Sequence, residues 1–179
     1  MHAERTPNPN AIKWVLDAPL AGGAGAWFEQ APGADVSPLA ARLFAVSGVA
    51  AVHLGPDFVT VTKAPQVEWP QIAEALAGVL RGHAASGEPA LGPGYRPREV
   101  RADADEVSAR IRRILEQEIR PAVALDGGDV VFVGYREGRV ELRLRGACEG
   151  CPGSSATLRQ GIEVRLREAV PEVREVVAR

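Results

Sequence analysis

Cys148 and Cys151 are the only two cysteines in this 179-residue chain. They stand three positions apart in the run Gly146-Ala147-Cys148-Glu149-Gly150-Cys151-Pro152-Gly153-Ser154-Ser155. A single close pair excludes a framework of structural disulfides. Two intervening residues let both sulfurs turn toward one centre, and Gly150 removes side-chain bulk from the path between them. A pair of this kind binds metal or exchanges with disulfides. Cys151 falls just before an expected helix start, where unpaired amides and the helix dipole favour a thiolate. The polar, glycine-rich loop predicts two ionised sulfurs at the protein surface, not an inert buried pair.

A zinc ion or an iron–sulfur cluster ordinarily takes four ligands. His2, His53 and His83 are the only histidines, and none has motif spacing to the cysteines. The simplest closure is two chains, each giving Cys148 and Cys151, around one cluster on a two-fold axis. A cluster exposed between subunits is held weakly enough to be handed on. The same motif also suits a thiol–disulfide oxidoreductase, or a zinc-bridged dimer acting as an adaptor. Redox proteins of that type place the pair after the first strand of a βαβ unit. Here it follows a hairpin late in its domain, which favours metal.

The elements that must position this loop follow from periodicity. Val107, Ile111, Ile114 and Leu115 predict an amphipathic helix ending at Arg120-Pro121. Asp126-Gly127-Gly128-Asp129 reads as a turn whose glycines take positive φ. Val130 to Tyr135 and Val140 to Arg145 read as a hairpin. In its second strand Val140, Leu142 and Leu144 alternate with Glu141, Arg143 and Arg145. After the cysteines, Leu158, Ile162 and Leu166 predict a helix that Pro171 stops, with a short strand over Val173 to Val177.

The first half reads as strand, strand, helix, strand, strand, helix. The strands are Ile12 to Leu16, Ala26 to Gln30, Val49 to Leu54 and Phe58 to Lys63. One helix starts at Ser37-Pro38 and ends at Ser47-Gly48; the other starts near Glu68 and carries Trp69, Ile72, Leu76 and Val79. Trp14, Trp27 and Trp69 are expected in its core. Residues 82–101 have no period and are punctuated by glycine and proline, so they read as a flexible linker. The expected fold class is α+β: two small domains, ββαββα over 1–81 and αββαβ over 102–179.

Composition narrows the function classes. The hydrophobic share is 46% and the charged share 25%, as in a globular chain. No apolar run approaches the ~20 residues that span a bilayer, and no membrane partner is expected. The formal net charge of -2 gives no basic field for nucleic acid. Only five of 21 basic residues precede Tyr95, but most acids follow it too, so the second half is mixed in sign. The start, Met1-His2-Ala3-Glu4-Arg5, shows no secretory pattern, which makes the cytoplasm the expected location.

The second half is similar to the C-terminal domain of NifU. The likeness is carried by Arg120-Pro121-Ala122-Val123-Ala124-Leu125-Asp126-Gly127-Gly128-Asp129-Val130, by the cysteine run continued through Ala156-Thr157-Leu158, and by Gly161-Ile162-Glu163. The first half resembles the N-terminal domain of Nfu-type scaffolds, through Thr6-Pro7-Asn8-Pro9-Asn10-Ala11 and Gly55-Pro56-Asp57-Phe58-Val59-Thr60-Val61-Thr62-Lys63. At Gly153 the family more often has serine. The resemblance implies a non-enzymatic scaffold or carrier. It would bind a [4Fe–4S] cluster at Cys148 and Cys151 of a homodimer, receive it from upstream cluster-assembly proteins and deliver it to apo iron–sulfur proteins.

Overall fold

The computed structural model describes residues 1–20, 25–96, 105–148 and 154–178. The chain divides into two compact units, Met1–Glu99 and Val100–Arg179. Each is a small sheet with helices, as the α+β expectation holds.

In the first unit the strands are β1 (His2–Arg5), β2 (Ala11–Val15), β3 (Ala26–Phe28), β4 (Val49–Leu54) and β5 (Phe58–Lys63); the helices are α1 (Pro38–Phe44) and α2 (Trp69–Ser86). The sheet order is β1-β2-β5-β4-β3, antiparallel throughout. Trp14, Val52, Leu54, Val59 and Val61 meet Leu39, Leu43, Ile72, Leu76 and Leu80 in one core. Of the three tryptophans Trp14 is buried in this core, Trp69 packs against it half-buried, and Trp27 is half-buried on β3. Strand β1 was not expected. All four of its residues are exposed, so no side-chain alternation marks it. It is held by its backbone ladder to β2 and by Glu4 against Lys13, 3.3 Å away.

Two differences concern the expected linker. Helix α2 runs through Gly82 to Ser86 and is closed by Gly87 at φ 65°. His83 extends the buried stripe of Ile72, Leu76 and Leu80, and this burial outweighs the ~1 kcal/mol cost of glycine in a helix. The chain then packs back on the first unit. Ser37 Oγ donates to the Ala90 carbonyl (2.7 Å), the Gly92 amide donates to Val36 (3.0 Å), and the Tyr95 ring meets Phe28. Residues 97–101, the rest of that stretch, lie outside the described residues.

The second unit contains α3 (Glu106–Ile114), a π-helical turn (Leu115–Ile119), α4 (Arg120–Leu125), β6 (Gly128–Arg136), β7 (Arg139–Gly146), α5 (Ser154–Ala169) and β8 (Glu175–Ala178). Helix α3 is capped by Asp105, whose carboxylate accepts from the Ser108 amide at 2.7 Å. The helical path does not end at Pro121, as expected, but continues to Leu125. Proline has no amide to give and its ring crowds the carbonyl four residues back. The π turn resolves this: the Arg120 amide reaches back to Leu115, five residues away, and Pro121 falls in the first turn of α4. The sheet order is β6-β7-β8, with β6 and β7 antiparallel and β7 and β8 parallel. The β6–β7 turn at Glu137 and Gly138 has φ of 52° and 88°, as a two-residue hairpin requires.

Candidate metal centre

The site is built on the end of β7. Val140, Leu142 and Leu144 face the core with Ile111, Leu115, Val123, Ile162 and Leu166. Gly146 then turns the chain at φ 66°, and the Ala147 amide donates to the Gly127 carbonyl at 3.3 Å. This bond ties the strand end to the α4–β6 connection. Cys148 follows two residues after the turn.

Here the structure corrects the expectation of a surface thiol at Cys148. Cys148 is 6% exposed and belongs to the apolar core of its unit. Its sulfur lies against Gly128, where a β-carbon would collide with Cys148 Sγ and crowd Val123 Cγ1 (3.1 Å) and the Arg145 carbonyl (3.2 Å). Gly128 is therefore a cradle for the thiol. It does not have the positive φ expected of a turn glycine; Gly127 does, at 74°. Cys151 and its expected thiolate position before the helix lie outside the described residues. So do the side chains of Ser154 and Ser155 and their expected capping role.

Asp129 is likewise not a turn residue. It is the second residue of β6, 6% exposed, and it stands opposite Arg145 on β7. Both its carboxylate oxygens accept from Arg120, at 2.8 and 3.2 Å. This bidentate pair links the first turn of α4 to the strand that begins at the thiol cradle. Helix α5, which follows the cysteine loop, is fixed on the π turn by a second bidentate pair, Arg165 to Glu118 at 2.7 and 3.1 Å. Glu118 pushes the Arg165 guanidinium above the ordinary arginine range. Neither pair was anticipated, because each joins residues on separate elements and leaves no local sequence signal.

The three histidines are all in the first unit: His2 on the exposed β1, His53 buried on β4 and His83 on the buried face of α2. Among the described residues no group of three or more His, Cys, Asp or Glu side chains converges as a metal site. Of the two cysteines expected to act together, Cys148 is the one among the described residues. Thiolates are soft donors suited to iron–sulfur clusters, and the side-chain-free face of Gly128 leaves the Cys148 sulfur room.

Two family resemblances cover the chain and agree with this architecture. Residues 1–87 match the N-terminal domain of the Nfu/NifU scaffold proteins, and residues 111–177 match the NifU-like domain. That pair of domains, in that order, defines the class of Nfu/NifU scaffold proteins. A NifU-like protein of Schizosaccharomyces pombe is 37% identical over 187 residues, covering 99% of this chain and 71% of that one. The chain belongs to the NifU-like (Nfu) family. An NFU1 iron–sulfur cluster scaffold homologue of Drosophila grimshawi is 38% identical over 180 residues, covering 98% of this chain. This chain spans about 60% of the length of that relative. Among solved structures, a NifU-like protein from Saccharomyces cerevisiae aligns with 51% of this chain and 83% of that one, at 25% identity and a TM-score of 0.46. The expected cytoplasmic location is corrected by the Drosophila relatives, which are named as mitochondrial proteins.

Proposed function

We propose that this chain is an iron–sulfur cluster scaffold and carrier. Its cargo is a [4Fe–4S] cluster held by Cys148 and Cys151 of two chains, passed on to apo-proteins without catalysis of a covalent reaction. The observation that carries the reading is the ligand count: one chain offers two thiols three residues apart, and a cubane cluster takes four. A second copy supplies the rest through the same loop and needs no new site. The Nfu-type relatives, named as cluster scaffolds, support the same role. Cargo is received from upstream assembly proteins and delivered to apo iron–sulfur proteins. The second unit, from about Val100, is the cluster-binding part.

Within this reading each residue has a physical task. Cys148 is anchored in the core by Gly128, Val123 and the strand end, so one ligand of each pair is fixed by packing. The Arg120–Asp129 pair and the Ala147–Gly127 bond hold the two backbone segments that frame it. Ligands shared between two chains are released when the chains separate, and that makes delivery possible.

The test is anaerobic reconstitution of the full chain with iron and sulfide, followed by size exclusion with light scattering, absorbance and iron analysis on the same fractions. The expected result is a loaded dimer with about two iron atoms per chain and a largely monomeric apo form. A loaded monomer with four irons would point to external thiol ligands and contradict the shared site. Stoichiometric zinc in place of iron would favour an adaptor. A readily reduced Cys148–Cys151 disulfide with no metal would favour an oxidoreductase.

A further inference from the structure

The core of the second unit lies on one face of the β6-β7-β8 sheet, and the outward residues of the other face form a distinct set. Across from one another on that face stand Asp129 and Arg145, Val131 and Arg143, Gly134 and Glu141, and Arg136 and Arg139; Glu175 and Val177 continue the last two rows onto β8. The register shifts between Phe132 and Gly134, and the extra residue, Val133, is 54% exposed. Val131 and Val133 on β6 and Val177 on β8, across Glu141 of β7, are the aliphatic residues of this face, and arginines stand among them. Two of the carboxylates are already committed, Asp129 to Arg120 and Glu175 to Arg139 at 3.2 Å. Arg136 and Arg143 are exposed and make no ion pair among the described residues. Glu141, and Glu137 in the turn next to Arg136, are the carboxylates that remain beside them.

We infer that this face docks an acidic protein, namely the apo-protein that receives the cluster. The inference rests on the scaffold reading above and adds where the recipient sits. Valines interspersed with arginines have the composition of a protein interface, where arginine is enriched and lysine depleted. Every basic residue of the second unit is arginine; the two lysines of the chain, Lys13 and Lys63, lie in the first. The guanidinium fork matches carboxylate geometry and keeps its charge at any physiological pH. The excess of positive charge selects a carboxylate-bearing surface by simple complementarity. The face also adjoins the cargo. Arg143 lies three residues before the end of β7, about 10 Å along the strand, and Cys148 follows that end by two residues. A recipient seated on the arginines lies beside the strand end that carries Cys148.

The test uses the full chain and, as probe, a fluorescently labelled acidic apo-ferredoxin. Anisotropy measures association with the unloaded chain, and absorbance measures cluster loading and transfer separately. Reversing both charges, Arg136→Glu with Arg143→Glu, is expected to weaken association about tenfold or more at low ionic strength. It should also flatten the salt dependence, while loading stays at the wild-type level. The neutral pair Arg136→Gln with Arg143→Gln should fall between, and circular dichroism checks the fold of each. Association that is unchanged in both variants overturns the proposal whether or not the chain loads a cluster. A change in the chain's own mass with acceptor binding intact assigns the face to a second copy and overturns it too. Full competition by a single-stranded oligonucleotide at equal charge concentration would make it a general polyanion surface, and the proposal would again be overturned. Failure of the wild-type chain to take up a cluster would instead sink the scaffold reading.

Discussion

The Cys148 sulfur occupies space that a β-carbon on Gly128 would need, so the thiol near the end of β7 and the glycine that opens β6 are fitted to each other. Ala147 is bonded to Gly127 beside them, and the Arg120–Asp129 pair secures the same strand start.

Gly128→Ala is therefore expected to push Cys148 out of its place. The neighbours are a packed sulfur, the Val123 side chain and the Arg145 carbonyl, and the carbonyl cannot yield without moving β7. Overpacking of this kind costs about 1–3 kcal/mol. Chemical denaturation should show that loss, and anaerobic reconstitution should show less bound iron per folded chain. Full stability with full iron content would mean the cradle is not needed.

Cys148→Ser and Cys151→Ser are expected to differ. Both should abolish cluster binding. Only Cys148→Ser places a hydroxyl in the apolar core, at a cost of about 1–3 kcal/mol, while Cys148→Ala keeps the site apolar and costs less. Denaturation midpoints of the apo forms distinguish the three. Charge-transfer absorbance retained in either serine variant would sink the ligand assignment.

Ser37→Ala should loosen two elements at once. Ser37 Oγ accepts from the Ala40 amide at 3.1 Å as the cap of α1, and donates to the buried Ala90 carbonyl at 2.7 Å. Loss of the cap costs about 1 kcal/mol, and an unpaired buried carbonyl adds about 1–3 kcal/mol. Hydrogen exchange should rise at the start of α1 and at Gly92 and Gly94, whose amides bond to Val36 and Asp35. Protection unchanged at both glycines would show that the segment after α2 holds without this bond.

Stability of the first unit should fall as pH drops below about 6.5. Burial of His83, with a smaller push from Arg42 and an opposing pull from Glu88, lowers its pKa from the ordinary 6.5. The unfolded chain then binds its proton first. Between 6.5 and the lower folded value unfolding takes up a proton, so stability is full above this window and declines through it. All three tryptophans lie in the first unit, so their fluorescence reports its unfolding. His83→Gln should lessen the slope across pH 7 to 5. A wild-type midpoint that is flat over that range would contradict it.

Much of this molecule is legible in its sequence, because the relevant signals are local. Ser37-Pro38 marks the start of α1, and the β4–β5 hairpin follows from two strand-like runs around Gly55-Pro56-Asp57. The inward set Val140, Leu142 and Leu144 follows from period two in β7. The stripe of Trp69, Ile72, Leu76 and Val79 announces α2. The elements that escaped have no such signature. β1 is an exposed edge strand held through its backbone. The last turn of α2 hides behind a glycine that faces solvent, and the path through Pro121 depends on a π turn that no propensity encodes.

The same division runs through the site. Sequence alone determined which soft donors the chain carries: two cysteines three positions apart, after a hairpin and before a helix. Tertiary structure decided which way the first thiol faces and what surrounds it. Cys148 is buried because residues 20 positions earlier supply a surface without a side chain, and Asp129 is a strand residue because Arg120 neutralises it there. Local spacing can place a donor on a loop, but burial is set by whatever other elements pack against that loop. Those contacts join residues far apart in the chain, and no stretch of sequence contains them.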